Sequence, residues 1–203
     1  MPQRLEGSIE VNAPVQQVYE YWETLENLPS FMSNVEEVRS TGDNVTHWRV
    51  KGPLGTSVEF DARTTQNEQN EALGWNTENG DVQTSGQVRF RDLGDDQTRI
   101  EVQMNWFDPP GGKVGEAVTG LVAGPKAMLE QDLLNFKDII EGTASTEEVQ
   151  ERIAAANAHS GAVATLTSSA GLLALGGALL LLLVIRGLRG RSRNRKARII
   201  FEF

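Results

Sequence analysis

Residues 162–185 run 24 positions without a charged side chain, and Arg186 then opens a dense basic tail. No other feature limits the fold as strongly, because such a segment must be kept out of water. A helix rises 1.5 Å per residue, so this run extends about 36 Å, enough to cross a hydrocarbon core of about 30 Å with some tilt. Its nine leucines, Leu179 to Leu183 among them, each favour insertion by roughly 0.5 kcal/mol. Thr165, Thr167, Ser168 and Ser169 weaken only the first quarter. A buried helix of a soluble core is the alternative, but residues 179–185 are apolar on every face. The segment predicts one transmembrane helix.

Charge is distributed unevenly about that span. Seven basic residues against Glu202 give the tail +6, so with a whole-chain charge of −9 residues 1–161 carry −15. An acidic domain is a poor partner for nucleic acid, whose binding draws on Lys and Arg. The basic tail suits anionic lipid head groups, and serves equally as a bare topology signal. There are no cysteines, which removes disulfides, thiol nucleophiles and thiolate metal sites. The first residues lack the apolar core of a secretory signal. About 140 residues remain for one soluble domain. The expected organisation is a domain over 1–142, a linker with a short helix over 143–161, the span over 162–185 and the tail over 186–203.

Within the domain the hydrophobic period changes twice. Leu5, Ile9 and Val11 alternate with polar residues up to Pro14, which reads as a strand followed by a helix with Val15, Val18, Tyr19 and Trp22 on its apolar side. A short helical piece over 25–32 is broken at Pro29. From Val35 onward the period is two: Trp48 and Val50, Val58 and Phe60, Leu73 and Trp75, Val88 and Phe90, Met104 and Trp106 each alternate with polar neighbours. Turns at 42–44, 52–55 and 78–81 separate these runs, which implies one antiparallel sheet with one wet face. After Asp108-Pro109-Pro110-Gly111-Gly112 the pattern is helical over 114–122 and again over 126–141. There Leu129, Leu133, Phe136 and Ile140 form one stripe that ends at Gly142. Ser145 and Glu148 form a capping box for a helix to about Ala158.

The order strand, two short helices, strands, long helix is that of an α+β helix-grip fold. Ile9-Glu10-Val11-Asn12-Ala13-Pro14-Val15-Gln16-Gln17-Val18-Tyr19, Trp22 and Leu28-Pro29-Ser30-Phe31-Met32 resemble the opening of the START-like, polyketide cyclase/dehydrase (SRPBCC) superfamily. Trp75, Gly86-Gln87-Val88-Arg89-Phe90, Pro109-Pro110-Gly111-Gly112 and Asp132-Leu133-Leu134-Asn135-Phe136-Lys137 resemble later blocks of its coenzyme-Q-binding, START-like bacterial branch. The resemblance covers residues 3–142. It implies a curved sheet wrapped around the long helix with a cavity between them for a hydrophobic small molecule such as a quinone, isoprenoid or lipid.

The residues supply a lining for such a cavity: Trp48, Val50, Val58, Phe60, Leu73, Trp75, Val88, Phe90, Met104 and Trp106 from the strands, with Leu129, Leu133 and Phe136 from the helix stripe. They serve equally as plain core. Phe31 and Pro109, Pro110, Gly111 and Gly112 are the expected gate. Acid–base catalysis needs a titratable group inside. By alternation His47, Glu59, Asp61, Glu101, Arg63, Arg89, Arg91 and Arg99 fall on the wet face, and His159 lies in the linker. No catalytic residue, metal-ligand spacing or cofactor is expected. A binding or carrier module is therefore expected before an aromatase/cyclase-like enzyme, with a self-filled scaffold as a third reading. The oligomeric state is open, since Ala170, Ala174 and Ala178 are a weak pairing signal in an Ala-rich segment. The tail's basic residues favour its lying in the cytoplasm with the domain outside. The missing signal favours late anchoring of a cytoplasmic domain, and the expectation adopted is a single-pass membrane protein with that domain in the cytoplasm.

Overall fold

The computed structural model describes residues 3–51, 56–106 and 124–166 and divides the chain into two compact units, 1–155 and 156–203. The helical expectation over 114–122 and the gate residues Pro109, Pro110, Gly111 and Gly112 lie outside the described residues, as do residues 167–185 of the expected span and the whole tail. Among the described residues no helix is long and apolar enough to cross a membrane.

The first unit is α+β. Seven strands, β1 (Gln3–Val11), β2 (Val35–Gly42), β3 (Val45–Lys51), β4 (Ser57–Glu68), β5 (Ala72–Gly80), β6 (Thr84–Gly94) and β7 (Gln97–Trp106), form one sheet in the order β1-β7-β6-β5-β4-β3-β2. Every pairing is antiparallel. Strands β2 to β7 follow one another as neighbours, as short turns require, and β1 closes against β7 at the far side. Asn44 and Asn70, at φ 62° and 63°, and Asp95 and Asp96, at 51° and 54°, take the left-handed conformation at hairpin turns, where a short polar side chain tolerates it.

Three helical pieces sit between or after these strands within the unit, and a fourth begins there. α1 (Val15–Glu23) starts directly after Pro14, whose carbonyl accepts from Val18 at 3.1 Å. A 3₁₀ turn (Leu25–Ser30) is the short helical piece expected over 25–32, with Pro29 inside it. α2 (Pro125–Ile140) is the long helix, and Gly142 past its end has φ +69°. α3 (Thr146–Leu166) opens on the expected capping box: Ser145 N–H donates to Glu148 at 2.8 Å and Glu148 N–H donates to Ser145 Oγ at 3.2 Å. The helix continues past Ala158, where the sequence reading ended it.

Each helix chooses a different part of the sheet. α2 packs chiefly on β1, the 3₁₀ turn on β2, and α1 on β6 and more lightly on β7. Gly7 is what lets α2 come close to β1, since a Cβ there would fall 2.8 Å from Leu129 Cδ2. Among the described helices none makes comparable contact with β3, β4 or β5. A large antiparallel sheet with a long helix laid across one face is consistent with the helix-grip expectation.

Candidate functional site

The pairing register settles which side chains share the inner face. Val50 opposes Val58, Trp48 opposes Phe60, Leu73 opposes Val88, and Val88 opposes Val102. Met104 lies across from Gly86, which pairs on its other side with Trp75. Nine of the ten strand residues expected to point inward therefore stand in one continuous set of rows, and the Trp106 side chain lies outside the described residues. A bulge near Glu78 shifts the β4–β5 register, so that Ala62 pairs with Thr77.

The set separates into two regions. On the helix side, Tyr19, Tyr21, Trp22, Phe31, Phe90 and Phe136 interlock. Phe31 and Phe136 lie 5.1 Å apart at 56°, Trp22 and Phe31 5.1 Å at 57°, and Trp22 and Phe136 5.5 Å at 69°. Tyr19 meets Phe90 edge-on at 82°. Phe31 and Phe136 are each 0% exposed, and Val88, Leu129 and Leu133 are buried beside them. Phe31, expected at a gate, is thus part of the packed interior: the 3₁₀ turn directs its ring inward between Trp22 and Phe136 rather than toward solvent.

On the sheet side the geometry differs. Trp48 stacks with Phe60 at 5.8 Å and 11°, and with Trp75 at 6.3 Å and 19°. The Trp75 ring lies across Gly86, where a Cβ would fall inside it. Trp48 Nε1 donates to Thr46 Oγ1 at 2.8 Å, and Val50, Val58 and Ala62 fill in around the rings. The result is an aromatic wall of near-parallel rings with no charged side chain in it. Tilted rings interlock and fill space, whereas parallel ones leave a common plane that another flat body can extend. Two concavities lie elsewhere, one of about 510 Å³ lined by residues such as Glu6, Arg89, Gln103 and Lys126, the other of about 610 Å³ beside Asp138 and Arg152. Neither is lined by the wall.

The outer face carries the charges, as alternation requires. Arg91 pairs with Glu101 at 3.1 Å, Arg99 with Glu10, and Arg63 with Glu78. His47 is half-buried on that face, its Nδ1 2.8 Å from Asp61 and its Nε2 3.8 Å from Glu59. Among the described residues no group of His, Cys, Asp or Glu is arranged to hold a metal. Tyr21 is partly buried against the core, its hydroxyl 3.0 Å from Ser30 Oγ and its ring on Phe136.

One titratable group escaped the sequence reading. Asp132 on α2 is buried, and its carboxylate accepts from the Ser33 amide at 2.9 Å. Lys51 lies close by, donating to the Ser33 carbonyl at 2.8 Å. Burial pushes the Asp132 carboxyl up to about 6, against the opposing pull of the Ser33 hydrogen bonds and the Lys51 charge. Neighbouring Asn135 donates to the Phe31 carbonyl at 3.2 Å. Together these polar groups strap α2 to the segment after the 3₁₀ turn. The signal was present in the spacing: position 132 stands three after Leu129 and four before Phe136, inside the helix stripe.

Residues 11–128 match the family described as polyketide cyclase/dehydrase and lipid transport. An uncharacterized 17.2 kDa protein in the melC2-rnhH intergenic region of Streptomyces lincolnensis is 38% identical over 139 residues, covering 68% of this chain and 89% of that one. Among solved structures, a Deinococcus radiodurans protein shares 25% identity with a TM-score of 0.56 and covers 70% of this chain and 99% of its own. A START superfamily protein from Mycobacterium smegmatis shares 15% identity with a TM-score of 0.54 over the same fractions, a likeness of fold alone.

Proposed function

The chain belongs to the polyketide cyclase/dehydrase and lipid transport family of the START-like superfamily, and we propose that it is a membrane-anchored binding or carrier module of helix-grip architecture for a hydrophobic small molecule. One observation carries this reading. Trp48, Phe60 and Trp75 form an uncharged wall of near-parallel rings on the part of the sheet that no described helix uses as its packing platform. Such a surface takes a flat apolar body, for which a quinone, an isoprenoid or a lipid is the fitting class. Residues 109–112 are the proposed portal. The apolar run over 162–185 supplies the anchor, with the basic residues after it on anionic head groups and the domain on the cytoplasmic side. Tethering keeps the wall at high effective concentration beside ligand dissolved in the bilayer.

A second reading, an aromatase/cyclase-like enzyme, draws on Asp132, a buried acid held near neutrality. Its hydrogen bonds go to the Ser33 segment rather than toward the wall, which ranks this reading below the carrier.

Organic extraction and mass spectrometry of the detergent-purified full-length protein, beside Trp75→Ala, test the proposal. A hydrophobic compound held one-to-one by the natural chain and lost from the variant is the expected result. Equal retention by both would mean lipid held by the anchor, and the wall would then be ordinary core. Turnover abolished by Asp132→Asn, with the extracted compound chemically changed, would move the assignment to the enzyme.

A further inference from the structure

The sheet has two edges, and they are finished differently. At β2 the register slips between Val35 and Glu37 and again between Ser40 and Gly42. The 3₁₀ turn packs on that strand, and the Ser40 amide donates to Glu26 Oε1 at 3.1 Å. Bulges and a cover of this kind keep an edge from pairing with another chain. β1 has no bulge: its nine residues pair with β7 in one unbroken register. Among the described residues α2 bonds to its outer edge at one point, where Lys137 Nζ donates to the Glu10 carbonyl at 2.8 Å.

Which backbone groups of β1 face outward follows from the ladder. The Phe90 amide donates to the Glu71 carbonyl at 2.8 Å, so Phe90 faces β5 and its neighbours Arg89 and Arg91 face β7. Their partners Glu101 and Arg99 face β6 in return. Ile100, Val102 and Met104 therefore turn toward β1 and bond to Ile9, Gly7 and Leu5. The amides and carbonyls of Arg4, Glu6 and Ser8 are left pointing away from the sheet, and among the described residues nothing bonds to them. Their side chains stand exposed on the outer face. The concavity of about 510 Å³ lies beside this edge, lined in part by Glu6, Ser8, Lys126 and Glu130, and leaves room for an added strand.

We propose that this edge pairs with the same edge of a second copy of the chain, β1 antiparallel to β1 about a twofold axis at Leu5. Residues that exchange hydrogen bonds across an antiparallel pair must both face the new ladder. Arg4, Glu6, Ser8 and Glu10 are the ones that do. With the axis at Leu5, Arg4 of each copy stands opposite Glu6 of the other, and the two half-buried Leu5 side chains meet on the inner face. Moving the axis to Glu6 would set that carboxylate against its own copy, which is unfavourable. Moving it to Gly7 would bring in Glu10, whose carbonyl Lys137 already holds. In a single copy Arg4 pairs with Glu6 of its own strand, so association exchanges partners and leaves no charge bare.

The full-length chain, in one density-matched detergent, is followed by sedimentation between about 1 and 100 μM, a range suited to a small interface. A reversible dimer is expected. Glu6→Arg and Arg4→Glu each set like charges opposite one another at both ends of the pairing, and each is expected to weaken the dimer about tenfold. Arg4→Glu combined with Glu6→Arg puts opposite signs back in register and is expected to restore the natural affinity. Both positions are exposed, and circular dichroism checks that the variants fold. The chain has no cysteine, so Leu5→Cys supplies a lone thiol on the axis. Air oxidation with copper phenanthroline is expected to join two copies through it, and to leave Ile9→Cys, off the axis, unjoined. A monomer at every concentration would overturn the proposal. So would a dimer that survives both single reversals, which would be held elsewhere in the chain, or a double variant no tighter than the single ones.

Discussion

The two aromatic regions of this sheet use the same residue types and reach different ends. On the helix side, rings at 50° to 82° interlock beneath α1, the 3₁₀ turn and α2. On the sheet side, rings within 19° of parallel lie over β3 to β5. Edge-to-face packing consumes both the edge and the face of each ring, so little surface remains for anything else. Near-parallel rings leave more of a face uncovered only at partly buried Trp75, since Trp48 and Phe60 are themselves 6% and 7% exposed. What separates the two regions is ring orientation and the covering helix, since both are apolar.

Phe136→Ala is the largest test of that distinction. The ring is fully buried and touches Tyr21, Trp22 and Phe31, so its loss leaves a cavity that stiff aromatic neighbours cannot fill. A destabilisation of about 3–5 kcal/mol is expected in chemical denaturation. Trp75→Ala, at a half-buried position, is expected to cost only about 2 kcal/mol while abolishing retention of the extracted ligand. Equal costs at the two sites would erase the comparison and make the wall ordinary core.

The regions should also differ in their response to pH. Asp132 straps the helix side, and its folded value of about 6 lies above its ordinary 3.8. The folded chain therefore binds this proton more tightly than the unfolded one. Stability from this group is greatest below about pH 4, falls as pH rises toward 6, and is level above that. Asp132→Asn does not titrate and keeps an acceptor for the Ser33 amide. The variant is expected to be more stable than the natural chain above pH 6, by up to about 3 kcal/mol, with the gap closing by pH 4. Denaturation midpoints that stay parallel across that range would show the carboxyl to be well solvated. Among the described residues no titratable side chain shares the inner face with Trp48, Phe60 and Trp75, so retention of the proposed ligand should not follow this transition.

Much of this arrangement was legible in the sequence, for a physical reason. Residues such as Val58, Phe60 and Ala62 alternate with charged neighbours, and short turns leave consecutive strands no choice but to pair in order. The shared inner face followed directly. Other features depended on the third dimension. Phe31 comes just after Pro29, where the short helical piece reads as broken, and only the 3₁₀ geometry of residues 25–30 sends it into the interior. Asp132 stands inside the α2 stripe, but its partner, the Ser33 amide, is distant in sequence and meets it only in the fold. Ring orientation has no sequence signature at all, apart from one hint: Gly86, in a strand otherwise rich in side chains, marks where the Trp75 ring lies flat.

The smallest effects should come from the polar edges of two tryptophans, one in each region. Trp22 is 2% exposed and its indole Nε1 has no hydrogen-bond partner among the described residues. Trp48 is 6% exposed, and its Nε1 is bonded to Thr46. Replacing each by Phe removes one ring and one N–H, but the consequences diverge. At Trp22 the lost packing is offset by relief from an unmatched buried donor, roughly 1–3 kcal/mol on its own, so Trp22→Phe should fall within about 1 kcal/mol of the natural chain. At Trp48 the packing loss adds to a lost hydrogen bond and a Thr46 hydroxyl left without its donor, so Trp48→Phe should cost about 1–2 kcal/mol more than Trp22→Phe. The reverse order in paired denaturation curves would mean that the Trp22 N–H is matched in solution. The helix side would then hold a polar partner of its own, and the contrast between the two regions would rest on ring geometry alone.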